Sequence, residues 1–354
     1  MRTHGYASFS SLAVLVVAGL LIPIAAAGQV PAAGAGNTKS PPVKPWKLPL
    51  TPDGQPDLQG IWSNNSATPL ERPAALAGRP FLSDEEVVEF ERRAARLRQN
   101  DSDAAAGDAF YLAVLSNVDR YKSVTATGGV EDQVIRHFEN RTSLITDPTE
   151  GKIPFTVEGQ RRQAAAAAVR QRPSPDNPED LPNDLRCITN GVPRLGGNAA
   201  GYNSYYQFVQ GPGYVVLVGE VIHDARVIPL DGRPHLPSNI RLWHGDPRGH
   251  WEGHTLIVDT TNFSSKSYFL GSRENLHLVE RFTRVAEDTI NYEITVSDES
   301  TWTRPWTALV QLKQTQDRMY EYACHEGNEQ EMIDMLRGAH AADSATNPAQ
   351  FVPR

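Results

Sequence analysis

From Thr289 to Asp298 the chain alternates without a slip. Ile290, Tyr292, Ile294 and Val296 are apolar, and Asn291, Glu293, Thr295 and Ser297 between them are polar. A period of two puts one set of side chains on a buried face and the other in water, which an antiparallel sheet accommodates and a helix does not. Seven further segments at short spacing read as strands: Tyr205–Gln210, Tyr214–Ile222, Ala225–Leu230, His254–Thr260, Leu276–Val285, Trp306–Lys313 and Arg318–Cys324. Turn-forming residues separate them, among them G-P-G at 211–213, L-D-G-R at 230–233 and T-Q-D at 315–317. The expected fold is mainly β, with an antiparallel barrel-like domain over 181–340.

Ahead of it, 51–180 reads as a partly helical region packing on the barrel. Ser83 and Glu86 make a capping box for a helix to about Gln99, with Val87, Phe90, Ala94 and Leu97 on one face. A second short helix is expected within Asp108–Val118 and an Ala-rich one over Val157–Arg170. One or two weak strands fall in Val134–Thr146, and a Pro-rich connection follows Arg172. A last helix is expected over Glu329–Leu336, before a loose tail at 341–354.

Residues 1–27 have the layout of a signal peptide: Arg2 and His4, an apolar run from Leu12 to Ile24, then Ala25, Ala26 and Ala27. The run is short for a membrane anchor, so no membrane span is expected after cleavage. Residues 28–50, rich in Ala, Gly and Pro, read as an extended leader. The expected location is periplasmic or extracellular. The two cysteines, Cys187 and Cys324, are then read as a disulfide closing a loop of more than a hundred residues, worth roughly 4–5 kcal/mol in the chain-entropy model. A formal charge of -8 lacks the basic excess that a nucleic-acid partner requires.

The chemistry-bearing groups crowd into 241–263, which holds His244, His250, His254, Asp246, Asp259, Glu252, Trp243 and Trp251. Gly245, Gly249 and Gly253 recur every four residues, so 241–254 reads as a turn-rich loop at a strand mouth. As candidate catalytic groups it offers His244 or His250 as a base and Asp246 or Glu252 to orient it. Arg241, Trp243, Arg248 and Trp251 would line a ligand, with Glu280 and Tyr292 from the strands behind. His250, Glu252 and His254 form H-x-E-x-H. On one strand the outer pair would stand roughly 13 Å apart, too far for a single metal unless Gly253 bends the chain. The competing reading is a hairpin corner with Glu252-Gly253-His254 at its tip. Glu220 and Glu280 are carboxylates amid apolar strand residues and need partners, for which Arg226, Arg241 and Arg281 stand available.

D-L-Q-G-I-W (57–62), I-P-F-T-V-E-G (153–159) and W-H-G-D-P-R-G-H-W-E-G-H-T-L-I-V-D-T-T-N-F (243–263) together resemble a family of secreted bacterial proteins. V-E-R-F-T-R-V (279–285), T-W-T-R-P-W-T (301–307) and Y-E-Y-A-C-H-E-G-N (320–328) extend that resemblance over most of the mature chain. The family is known to us only as uncharacterised, so the resemblance brings no activity. Its members read W-E-G-D-T-L where this chain has His254, which argues against a role for that histidine. Gly60-Ile61-Trp62 is similar to the G-x-W of lipocalin-type barrels, an architectural likeness only.

Two function classes follow. One is an exported barrel that binds a small organic molecule at its mouth; the other is a hydrolase or lyase working through His244 or His250. Cofactor, metal and oligomeric state stay unassigned by the sequence, and His250, beside bulky Trp251, is expected to be the shielded histidine of the loop.

Overall fold

Ten strands form one antiparallel sheet in this computed structural model, which describes residues 46–99, 107–120, 136–170, 178–195, 204–326, 332–333 and 336–338. In chain order they are β1 (Gly60–Ser63), β2 (Ile145–Asp147), β3 (Tyr205–Gly211), β4 (Tyr214–Gly219), β5 (Ala225–Pro229), β6 (Asp246–Glu252), β7 (Thr255–Thr261), β8 (His277–Ala286), β9 (Thr289–Ser297) and β10 (Trp306–Thr315). Across the sheet the order is β5-β4-β3-β1-β10-β9-β8-β7-β6, with β2 pairing β10 beside the main path. The mainly β expectation holds.

The sheet rolls but does not close, so the barrel likeness is loose. Its edge strands, β5 and β6, meet side chain to side chain. A Cβ added at Gly249 of β6 would lie 2.7 Å from Ile228 Cγ2 and 2.6 Å from Leu230 Cδ2, so only glycine permits that approach. Each edge strand also carries a proline, Pro229 and Pro247, which has no N–H to donate across the seam. The alternation read from β9 recurs on its neighbours. Leu278, Phe282, Ile290, Tyr292, Ile294, Val310 and Leu312 all point into the roll, where they join Trp62, Phe208 and Ile228 in one core.

The region 51–180 contributes more than packing. β1 sits between β3 and β10 in mid-sheet, although Gly60-Ile61-Trp62 lies over a hundred residues ahead of the other main strands. Trp62 is fully buried and donates from Nε1 to Leu58 O at 2.8 Å. The Arg284 guanidinium lies 5.1 Å from its ring centroid and donates to Asp57 O and Glu287 O, tying that end of β1 to the β8–β9 turn. Three helices follow the expectations closely: α1 (Asp84–Gln99), α2 (Gly107–Leu115) and α3 (Val157–Arg170). The capping box is present, with Ser83 N donating to Glu86 Oε2 at 2.9 Å and Glu86 N to Ser83 Oγ at 3.3 Å. Phe90, Ala94 and Leu97 of α1 meet Phe110, Tyr111 and Val114 of α2 and Phe138 in a second, smaller core.

Three expectations change. The loop 241–254 is largely strand β6 followed by a two-residue hairpin, with Gly253 at φ +57 in its first central position as a II′-type turn requires. β4 stops at Gly219 rather than Ile222, because Ile222 and His223 take positive φ (61 and 55) in a short 3-10 turn. Arg318–Cys324 is not a strand. The ladder ends at Thr315, and beyond it the chain is held by a backbone donation from Tyr322 N to His223 Nε2 at 2.8 Å and by the disulfide. Residues 1–45, which hold the signal-peptide layout and most of the leader, most of the 329–336 helix and the 341–354 tail lie outside the described residues.

Candidate functional site

Cys187 and Cys324 are joined, with Cα atoms 5.8 Å apart, inside the span a disulfide bridges. The bond anchors the chain beyond β10 to the loop that precedes β3.

His244, Asp246, His250 and Glu252 do not converge as a foursome. His244, ahead of β6, has its Nε2 2.7 Å from Thr189 Oγ1 and 3.3 Å from Asp224 Oδ1. Thr189 Oγ1 donates onward to Asp224 Oδ2, so this cluster pins the post-disulfide loop to the turn after β4. Asp246, Arg248, His250 and Glu252 alternate along β6 and therefore share its outer face. Asp246 is buried there, accepting from Leu236 N at 2.8 Å and from Arg248 at 3.0 Å, with His235 Nδ1 at 3.1 Å. His235 Nε2 lies 3.0 Å from Asp259 Oδ1, and His277 Nε2 lies 3.1 Å from the same carboxylate. The hydrogen bond from His277 holds the Asp259 carboxyl below its ordinary range against the opposing effect of burial. Asp259 in turn raises His277. Nearer the hairpin, His250 Nε2 lies 3.1 Å from Glu252 Oε1, and Arg281 donates to Oε2 at 2.9 Å. The bonds from His250 and Arg281 lower the Glu252 carboxyl.

The expected shielding of His250 is not found. Its side chain is 56% exposed, because the outer parity of β6 turns it away from the core that Trp251 covers. Trp243 is half-buried and accepts through its carbonyl from Ser267 Oγ, while Arg241 donates to Phe263 O and Glu274 O. Among the described residues, neither side chain hydrogen-bonds to Asp246, Arg248, His250 or Glu252.

Glu280 and Tyr292 lie on the opposite, inner face. Arg226 reaches across the roll from β5 and grips Glu280 through both terminal nitrogens, with Nη1 2.9 Å from Oε1. Tyr292 Oη donates to Glu280 Oε1 at 2.5 Å, and Thr260 Oγ1 accepts from Arg226 Nη2 at 3.3 Å. Burial works against charge on Arg226, but the Glu280 carboxylate outweighs it and raises the guanidinium pKa. Burial first, and Glu280 second, push the Tyr292 phenol well up. Arg226 was legible in sequence only as a possible partner. Tyr206, the phenol facing this pair from β3, carried no signal beyond ordinary strand alternation. Asp259, His235 and His277 are far apart in the chain, and no spacing rule joins them.

A concavity of about 810 Å³ opens where the seam between β5 and β6 meets the segment 51–59. Pro52, Pro212, Tyr214, Val215, Leu230 and Trp251 give it apolar walls, and Gln55, Gln59, Gln210, Asp53 and His250 supply polar groups. Of the residues picked from sequence, His250 and Trp251 line it. Among the described residues no three His, Cys, Asp or Glu side chains are arranged to hold a metal ion. Comparison with protein-family models and with curated proteins finds no match.

Proposed function

We propose that the protein binds a small neutral organic molecule in the groove at the end of the seam. The observation that carries this reading is the groove itself. It has the size of a ligand site and mixes apolar walls with a few polar groups. Among the described residues lining it there is no lysine or arginine, and the one carboxylate among them, Asp53, disfavours an anion. Three glutamine amides can donate to and accept from hydroxyl or carbonyl groups. Gln210 already spends its amide on Leu58 N and Pro56 O, so Gln55 and Gln59 are the groups left to meet the ligand. The disulfide and the signal-peptide layout support binding outside the cytoplasm.

Titrating neutral aromatic and polyhydroxylated compounds against intrinsic tryptophan fluorescence tests it. A saturable signal is expected, weakened at least tenfold in Trp251→Ala. Undiminished affinity in that variant would move the site elsewhere.

A second reading, a hydrolase or lyase, rests on one contact. His250 stands at the groove with Glu252 beside its Nε2, the arrangement of a base and its orienting carboxylate. Glu252→Gln would then lower turnover of a bound ester or lactone without changing its affinity. An unchanged rate in His250→Ala eliminates it.

A further inference from the structure

Within the roll, buried polar groups on one face gather beside a glycine, Gly219, whose missing side chain leaves room among the described residues. Tyr206 of β3 pairs in register with Gly219 of β4, and Leu217, two residues before Gly219, pairs with Arg226 of β5. Tyr206, Gly219 and Arg226 therefore stand together on the inner face. Gly219 is buried, yet a Cβ added there would meet nothing within 4 Å except Asp224 O at 3.7 Å. Tyr206 is only 7% exposed and its hydroxyl has no partner among the described residues. Arg226 commits both terminal nitrogens to Glu280 and Thr260, but its buried Nε–H has none. Ser204, two residues before Tyr206, also has a buried hydroxyl with no partner among the described residues. One unmatched buried donor costs free energy; two on one face, with a glycine between them, mark a place built for an acceptor.

We propose that this recess binds a small neutral carbonyl compound, its oxygen accepting hydrogen bonds from Tyr206 Oη and Arg226 Nε. A carbonyl oxygen has two lone pairs for two donors. Glu280 already balances the Arg226 charge, so a carboxylate ligand would bring a second negative charge into an enclosed space, whereas a neutral oxygen would not. Roughly 13 Å of β5 separates Arg226 from Leu230 in the seam groove, so the two sites are distinct and neither proposal depends on the other.

Acetone carrying ¹³C at its carbonyl is a probe small enough for the recess, and isotope-edited infrared spectroscopy reads its hydrogen bonding. In the wild type a bound carbonyl band should appear below its position in water. Tyr206→Phe should return that band part of the way. Gly219→Val should abolish it by filling the space, and Gly219→Ala is the milder filler if the valine variant does not fold. Trp251→Ala, which alters the seam groove, should leave the band in place. No bound band in the wild type, or an identical band in Tyr206→Phe and both Gly219 variants, overturns the proposal. So does a crystal structure grown with acetone that shows only an ordered water between Tyr206 and Arg226.

Discussion

Glu280 and Arg281 are neighbours in β8, and each belongs to a charged cluster. Glu280 faces inward, fully buried, and is held by Arg226, Tyr292 and a roll of apolar side chains. Arg281 faces outward, where it meets Glu252, while His277 meets Asp259 on the same face with both side chains about 40% exposed. The residue types are alike and the distances similar. What differs is the solvent. Inside, each charge has lost its water and depends on its partner, so the cluster behaves as a unit. Outside, water and salt screen each pair, so each interaction is individually weak. One strand thus carries a structural clasp on one face and a pH-responsive network on the other. The clasp also bears on closure. Arg226 belongs to edge strand β5, so its grip on Glu280 holds the roll together where no backbone ladder does.

The largest effect is expected for Glu280→Ala, which leaves Arg226 charged and unpaired. Urea unfolding should show a loss of about 3–5 kcal/mol, and replacing both partners (Arg226→Met with Glu280→Leu) should restore most of it. A double variant as unstable as the single one would show that Arg226 and Glu280 do not act as a unit. Tyr292→Phe removes one hydrogen bond to the buried carboxylate and should cost about 1.5–3 kcal/mol in the same assay.

The outer network should respond to pH instead. His277 is raised by Asp259, so its contribution is complete below the ordinary imidazole value of about 6.5 and is lost as pH climbs through the raised one. Asp259 is lowered by His277, so its contribution is present above about pH 4 and is lost as pH falls through the depressed value. The stability difference between wild type and His277→Asn should therefore peak near pH 5, at about 0.5–1 kcal/mol given the exposure, and shrink at pH 9. A flat difference from pH 5 to 9 would remove the network's claim to be titratable. The smallest effect belongs to the hairpin tip. His254→Asp should stay within about 0.5 kcal/mol, since the side chain is exposed on a turn set by Gly253. His250→Ala should leave the unfolding midpoint unmoved and register only in groove binding.

Much of this molecule can be read from its residues in order. Helix α1 follows from Ser83, Glu86 and the Phe90–Ala94–Leu97 stripe, and β9 from its alternation, because both signals lie within a few residues of each other. The hairpin tip at Gly253 follows for the same reason. The strand β6 was hidden by the glycines and the proline in and beside it. Gly245, Gly249 and Pro247 signal turns locally, and only contact with Ile228 and Leu230 across the seam explains why Gly249 belongs in a strand. The disulfide was legible because two cysteines allow one pairing.

Local signals, or a single possible pairing, thus account for the sheet class, three helices, the turn tips and the Cys187–Cys324 bond. Tertiary structure alone decided that Gly60-Ile61-Trp62 lies in mid-sheet and that His244 leaves the β6 groups for Thr189 and Asp224. It also decided that Arg226, rather than Arg241 or Arg281, takes Glu280. In each of these the partners stand tens or hundreds of residues apart, and no spacing rule connects them. Charge complementarity permits all three arginines, and only the curvature of the sheet, set by packing across its whole inner face, brings one of them to the carboxylate.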